Sequence, residues 1–79
     1  MRLVTDIPHS RFKIQVFQYN SKFIVKIELD LYEQIYKIAE LDVNGVEDVI
    51  KMVDEDLLKN CLTRFIAMRS EWTNSFKNI

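Results

Sequence analysis

The chain has 79 residues, of which 48% are hydrophobic and 29% are charged, and its formal net charge is −1. These values are typical of one small globular domain, and the balanced charge argues against binding duplex nucleic acid mainly through charge. The single cysteine excludes an intrachain disulfide, and no apolar run approaches the roughly 18 residues that a membrane-spanning helix needs. We therefore expect one cytoplasmic domain over residues 1–79, with no signal peptide and no membrane contact.

The first ten residues carry a weak strand signal. Leu3 and Val4 are apolar, and Pro8 follows a few positions later. Proline cannot donate a hydrogen bond to a sheet ladder, so Pro8 should lie at a bend or outside a sheet. A short edge strand is an open alternative for the front of this segment, which the predicted sheet does not include.

The clearest pattern is a β-hairpin over residues 11–30 that turns at Asn20 and Ser21. Asparagine tolerates the positive φ of a two-residue turn, and folding there places Tyr19 opposite Lys22. All the other side chains then divide between two faces, and a one-residue slip would exchange those faces. One face is apolar throughout and comprises Phe12, Ile14, Val16, Val25, Ile27 and Leu29.

The second face of this hairpin mixes apolar and charged side chains. Phe17 is predicted to lie opposite Ile24 in its middle. At the open end, two opposite-charge pairs are predicted, each worth about 0.2–1 kcal/mol. They are Lys13 with Glu28 and Arg11 with Asp30.

Residues 32–41 fit two patterns. Their apolar and polar residues alternate as in a strand, but a helical stripe also fits. We favour a strand that follows a tight turn at residues 29–31, because a hairpin of two strands alone is marginally stable in water. The register of this second hairpin is open. One choice places Lys26 opposite Glu33 and Ile24 opposite Ile35.

Two helices are predicted after the strands. Asn44 precedes Glu47 by three residues, which is the spacing of a capping box at the start of a short helix. Asp54 is predicted to cap a second helix of about 20 residues, although the two helices could also fuse. Its apolar residues recur at intervals of three and four, from Leu58 to Phe76.

The predicted fold is therefore α+β. It consists of a three-stranded antiparallel meander (β-β-β) followed by two C-terminal helices packed on one sheet face. The helices are expected to meet the apolar face of the sheet, with Trp72 among their contact residues. The other sheet face is left uncovered.

The sequence contains no motif for catalysis or for binding a cofactor or a metal. His9 is the only histidine and Cys61 the only cysteine, too few for the usual four-ligand zinc site. We interpret His9 as an exposed or turn residue and Cys61 as a small core residue. With Gly45 as the only glycine, a glycine-rich phosphate loop is excluded. A non-enzymatic protein with no evident small-molecule substrate is expected.

The uncovered sheet face is the predicted contact surface. Its predicted interface residues are Phe17, Tyr19, Ile24 and Ile35, and its occupant is a second copy in a homodimer or another protein. Residues 1–10 or the C-terminal tail could instead cover this face. Trp72 and Phe76, near the end of the second helix, are a second choice of interface.

A weak single-stranded nucleic-acid binder is the alternative function. Such proteins stack bases on exposed aromatic rings and hold the phosphates with basic side chains. The residues that would do so here are Phe17, Tyr19, Lys22 and Lys26. Acidic residues interrupt this set, so protein interaction is the preferred interpretation.

Overall fold

The computed structural model describes all 79 residues and consists of one antiparallel sheet and two α-helices. The strands, in sheet order, are β1 (Arg2–Ile7), β2 (Lys13–Tyr19), β3 (Lys22–Leu29) and β4 (Tyr32–Ala39). The helices are α1 (Val46–Met52) and α2 (Glu55–Asn74), and short 3-10 helices lie at Glu40–Asp42 and Ser75–Asn78. The α+β class is confirmed, but the sheet has four strands and the prediction of three is wrong.

The additional strand is β1, which pairs antiparallel with β2. Leu3 lies opposite Phe17 and Ile7 lies opposite Ile14, and the register shifts between Leu3 and Thr5 in a β-bulge. Pro8 follows directly after β1, where its missing amide proton costs no ladder bond. A strand of six residues with a bulge shows no clean alternation, and this is why its sequence pattern is weak.

The β2–β3 hairpin has the predicted register throughout both strands. Tyr19 lies opposite Lys22, and Phe17 lies opposite Ile24. Asn20 and Ser21 have φ values of 50° and 60°, as a turn with two left-handed residues requires. The alternation of side chains in both strands is therefore confirmed.

The two opposite-charge pairs predicted for this hairpin do not form ion pairs. Lys13 lies opposite Glu28 in the register, and Arg11 precedes β2. The one close lysine–carboxylate pair is Lys26–Glu33, with an N–O distance of 3.9 Å, and the His9 ring nitrogen Nε2 lies 3.6 Å from Glu55. Exposed lysine and arginine chains gain little from pairing in water, because holding two long side chains in one geometry costs entropy.

Residues 32–39 form a strand, as predicted, but the suggested register is wrong by two residues. Lys26 lies opposite Ile35, and Glu28 lies opposite Glu33. The turn occupies residues 30–31, with Asp30 at a φ of 55°. Aspartate adopts this left-handed conformation more readily than the leucine that the other register would place there. A shift of two residues preserves the face of every side chain, so the face assignment stands.

The helices cover one face of the sheet and enclose the core. Ten residues are buried and all are apolar. They are Phe12, Ile14, Val16, Phe23, Val25, Ile27, Val49, Leu58, Cys61 and Phe65. Cys61 is a core residue, as predicted. Trp72 is 68% exposed, so its predicted place in the core is wrong. Neither helix combines the length and the apolar character needed to span a bilayer.

The two helices are separate, and only the second begins at the predicted cap. The Asp54 carboxylate accepts a hydrogen bond from the Leu57 amide at 2.8 Å. At the start of α1, the N-cap position belongs to Gly45, whose φ is 94°. The Asn44 amide donates to the Asp48 carboxylate at 2.8 Å, so the predicted Asn44 cap is wrong. Gly45 is required here because residues with a side chain rarely adopt this positive φ.

The cap of α2 leads to a stability prediction. Asp54→Ala should lower the free energy of unfolding by about 1 kcal/mol, because the Leu57 amide loses its acceptor. Urea denaturation followed by circular dichroism measures the change. Asn44→Ala is the matched control and should stay within about 0.5 kcal/mol, since the Asn44 side chain caps no helix. Equal losses in the two variants would contradict the cap assignment.

Candidate interaction surfaces

The sheet has one face that no helix covers, which we call the open face. Successive side chains of a strand point to opposite sides of the sheet. The open face therefore comprises the residues of all four strands whose side chains point away from the helices. They are Leu3, Asp6, Lys13, Gln15, Phe17, Tyr19, Lys22, Ile24, Lys26, Glu28, Glu33, Ile35, Lys37 and Ala39. All four residues of the preferred predicted interface therefore lie on this one surface.

An apolar stripe crosses the open face from β1 to β4. Phe17 and Ile24 are half-buried and face each other, and Leu3 lies on the other side of Phe17. Ile35 lies diagonal to Ile24 on β4. Leu3 is 47% exposed and Ile35 is 51% exposed. Sequence reasoning missed Leu3, because its place on this face depends on the pairing of β1 with β2.

Lys26 lies over the middle of this stripe. Its Nζ atom is 5.6 Å from the centroid of the Phe17 ring, a distance at which a cation is attracted to the ring face. The same Nζ atom is 3.9 Å from Oε1 of Glu33. Lys26 therefore already has an aromatic and an acidic partner within the domain, whereas Lys22 at the end of β3 has no acidic partner within 4.0 Å.

Neither end of the chain lies across the open face. The N-terminal segment is β1, which extends the sheet beside β2. The C-terminal 3-10 helix continues from α2, and α2 packs on the opposite face of the sheet. The stripe is consequently accessible to another molecule.

The second predicted interface lies elsewhere on the molecule. Trp72 and Phe76 are each 68% exposed, near the end of α2 and in the 3-10 helix that follows it. A shallow cleft of about 600 Å³ separates this end of α2 from the β3–β4 turn. It is lined by Leu31, Tyr32, Met68, Glu71, Trp72 and Ser75. The structure thus separates Trp72 and Phe76 from the open face.

A polar cluster that the sequence did not reveal joins β4 to α2. The Arg64 guanidinium donates to Gln34 Oε1 at 2.8 Å and to the Tyr36 hydroxyl at 2.5 Å. The Gln34 amide donates to the backbone carbonyl of Cys61 at 2.9 Å. The Cys61 sulfur lies 3.6 Å from the Tyr36 hydroxyl and 3.4 Å from an Arg64 nitrogen. In the sequence, the only sign of this cluster is that β4 has polar residues on the face that points toward the helices. Their partners can be recognised only when the position of α2 is known.

Contacts within this cluster shift the pKa values of Tyr36 and Arg64. Burial is the main cause that raises the pKa of the Tyr36 phenol, and contact with Cys61 acts in the same direction. The Arg64 charge opposes that shift, while the hydrogen bond to Cys61 raises the pKa of Arg64 itself. No buried side-chain nitrogen or oxygen of the molecule lacks a hydrogen-bond partner. The cluster therefore holds the helix to the sheet with its hydrogen-bonding capacity satisfied.

His9 makes a similar connection at the N-terminal end of α2. Its Nδ1 atom accepts hydrogen bonds from the amides of Arg11 and Phe12, at 3.1 and 3.3 Å. Its Nε2 atom lies 3.6 Å from Glu55 in the first turn of α2. His9 is a turn residue, in agreement with its interpretation from the sequence. Its ring connects the β1–β2 loop to the helix.

Comparisons with known proteins identified no relative of this chain. The chain matches no family model, no curated protein and no solved structure. No three histidine, cysteine, aspartate or glutamate side chains lie together in an arrangement that could hold a metal ion. The open face, with its apolar stripe, is the candidate interaction surface of the domain.

Proposed function

We propose that this domain is a non-enzymatic protein-interaction module that binds a second copy of itself or a partner protein through the open face. The apolar stripe of Leu3, Phe17, Ile24 and Ile35 carries this proposal, since it crosses all four strands while the helices cover only the other face. Contiguous apolar patches of this kind tend to mark contact sites on small proteins.

Stability considerations support self-association. Only ten of the 79 residues are buried, and a chain of this length buries only about 60% of its unfolded surface. Any partner that binds the folded state and not the unfolded state stabilises the fold by mass action. Contact along the stripe would bury apolar surface, and each Å² buried stabilises the associated state by about 25 cal/mol.

The proposed location is the cytoplasm. The single thiol, Cys61, is fully buried, and the chain has no second cysteine for a disulfide. Such usage is typical of proteins in reducing compartments. The proposed module requires no cofactor or metal for its activity, because apolar contact along the stripe uses only side chains of the protein.

Light scattering over a range of concentrations, at low and high salt, is the test of this proposal. The wild-type protein should associate, and its mass should change little with salt, because apolar contact is not screened. Phe17→Glu should lower the mass at every concentration and leave the circular dichroism spectrum unchanged. A charge in the middle of the stripe would have to be desolvated in the interface.

Gln15→Glu is the matched control for this variant. It adds the same charge to the same face two residues away on β2, without removing an apolar side chain of the stripe. Its mass should equal that of the wild type. If Phe17→Glu associates as well as the wild type does, the open face is not the contact surface.

Trp72 and Phe76 are proposed as a second, separate contact. Trp72 is the only tryptophan, so its fluorescence reports on this end of α2 alone. Association through the open face should leave the emission maximum unchanged. A blue shift with rising concentration would assign contact to the end of α2.

Single-stranded nucleic acid is the alternative ligand. It is favoured by the position of Phe17, Tyr19, Lys22 and Lys26 on one face, with Tyr19 51% exposed. Binding of a labelled single-stranded RNA should then weaken steeply as salt rises, and Lys22→Ala should reduce the salt dependence. Salt-independent self-association with no RNA binding would exclude this alternative.

A further inference from the structure

The outer edge of β4 has main-chain groups that pair with no other strand. β4 is the last strand of the sheet, with β3 as its only neighbour. The Glu40 amide donates to the Ser21 carbonyl at 3.0 Å, and hydrogen-bonded pairs of antiparallel strands recur at every second residue from such a pair. The β4 residues bonded to β3 are therefore Tyr32, Gln34, Tyr36 and Ile38.

The residues between them direct their N–H and C=O groups away from β3. These outward residues are Glu33, Ile35 and Lys37, and all three are exposed. Only five backbone hydrogen bonds lie outside the helices and strand ladders, and none of them uses an outward group of β4. Such a row of free donors and acceptors is a template for pairing with another strand.

The other edge of the sheet is protected in the usual ways. β1 has six residues, is interrupted by a bulge, and is followed directly by Pro8. Bulges, prolines and short length are the means by which proteins prevent edge-to-edge pairing. β4 has eight residues in continuous register with β3, and it contains neither a bulge nor a proline. The two edges therefore differ, and β4 is the one open to a partner.

We propose that β4 pairs antiparallel with β4 of a second copy, with Ile35 opposite the partner's Ile35. This register places each Glu33 opposite the partner's Lys37, so two opposite-charge pairs flank a central apolar pair. The three outward residues of each strand then face each other and form about six main-chain hydrogen bonds. Opposite charges and β-branched pairs directly across two strands are favourable.

Neighbouring registers lack this complementarity. A symmetric shift by two residues places either Glu33 or Lys37 opposite the partner's Ile35, and both charge pairs are lost. The order of charges along the strand, an acid before Ile35 and a base after it, is thus self-complementary only in the antiparallel pairing centred on Ile35. This charge pattern favours a second copy of the chain as the occupant of the edge.

The resulting dimer would have a continuous sheet of eight strands. The open faces of both copies would join into one surface, with the Ile35 pair at the seam. On the helix side, Gln34 would lie opposite the partner's Tyr36. This edge contact rests on the proposed self-association of the domain. It uses the main-chain groups of β4 and shares only Ile35 with the stripe, so variants of Phe17 and of the β4 charges test the two contacts separately.

Charge reversal on β4 tests the register. Glu33→Lys alone and Lys37→Glu alone each place like charges at both flanking positions. Each should raise the dimer dissociation constant at least about tenfold, because two favourable pairs become repulsive at once. An equimolar mixture of the two variants restores opposite charges at both positions. Sedimentation of the mixture should show heterodimers with close to wild-type affinity.

A control variant and the second charge variant separate this effect from general charge effects. Lys13→Glu changes the same charge on β2 and should leave the dissociation constant unchanged. Lys37→Glu preserves the ion pair between Lys26 and Glu33, so loss of that pair cannot explain its effect. A mixture that associates no better than either variant alone would overturn the proposed register.

Amide hydrogen exchange gives an independent test of the edge. The amides of Ile35 and Lys37 should be protected at high protein concentration and lose protection on dilution. Those of Gln34 and Tyr36 should stay protected at both concentrations, because they are bonded to β3. Fast exchange at Ile35 in the associated state would overturn the edge contact.

The Phe17→Glu background distinguishes failure of this inference from failure of the proposed function. An edge dimer should persist when Phe17 is replaced and should disappear when Lys37→Glu is added. If Phe17→Glu alone abolishes all association, the edge contact is refuted and the open-face proposal stands. If Phe17→Glu has no effect and the charge variants do, the opposite holds.

Discussion

Val16→Glu is expected to unfold the domain, whereas Phe17→Glu, one residue further along β2, is expected to leave it folded. The Val16 side chain is completely inaccessible to solvent and lies opposite Val25 in the centre of the core. An ionised carboxylate at that site would have no hydrogen-bond partner, and its burial would cost several kcal/mol. Small domains have a total stability of only about 5 kcal/mol or less, so the folded state should be lost.

Circular dichroism and thermal denaturation measure both variants. Val16→Glu should already be unfolded at 25 °C and should show no cooperative transition on heating. Phe17→Glu should melt within a few degrees of the wild type, because residue 17 is half-buried on the open face and a charge there reaches water. If both variants unfold to the same extent, the assignment of the two faces is wrong.

Phe65→Ala is expected to lower the free energy of unfolding by about 3–5 kcal/mol. The Phe65 side chain is 3% exposed, and its ring centroid is 5.9 Å from that of Phe12. Truncation removes apolar contact area and leaves a cavity between α2 and the sheet, which the surrounding residues fill only in part. The loss is comparable with the entire stability of a domain of this size.

Phe76→Ala is the matched control for this change. Phe76 follows α2 and is 68% exposed, so the same truncation there should change the free energy by at most about 0.5 kcal/mol. Urea denaturation of the two variants measures the difference. Equal destabilisation would mean that the C-terminal 3-10 helix packs as part of the core.

Only part of the interaction surface could be predicted from the sequence. The shared face of Phe17, Tyr19, Ile24 and Ile35 follows from strand alternation, which depends on neighbouring residues alone. The contribution of Leu3 depends on a pairing with β2 that brings together residues 14 positions apart in the chain. The charge pattern of Glu33 and Lys37 is visible in the sequence. Its role in strand pairing can be recognised only from the structure, because it requires β4 to be an edge strand with unpaired main-chain groups.

Local sequence determined the elements whose physics is local. The β2–β3 register follows from a two-residue turn at Asn20 and Ser21 and from alternation on both sides of it. The start of α2 follows from the Asp54 cap, and its buried side follows from the spacing of Leu58, Cys61 and Phe65. Turns, caps and periodicity act over a few residues, and so they can be recognised without knowledge of the fold.

Tertiary structure alone decided the features that arise where distant segments meet. Residues 2–7 form a strand because β2 provides main-chain groups with which they pair. The cluster of Gln34, Tyr36, Cys61 and Arg64 forms because the packing of α2 on the sheet brings Cys61 and Arg64 next to Gln34 and Tyr36 of β4. The exposure of Trp72 has the same origin. A helical stripe shows which side of α2 is apolar, but the sheet determines how much of that side has something to pack against.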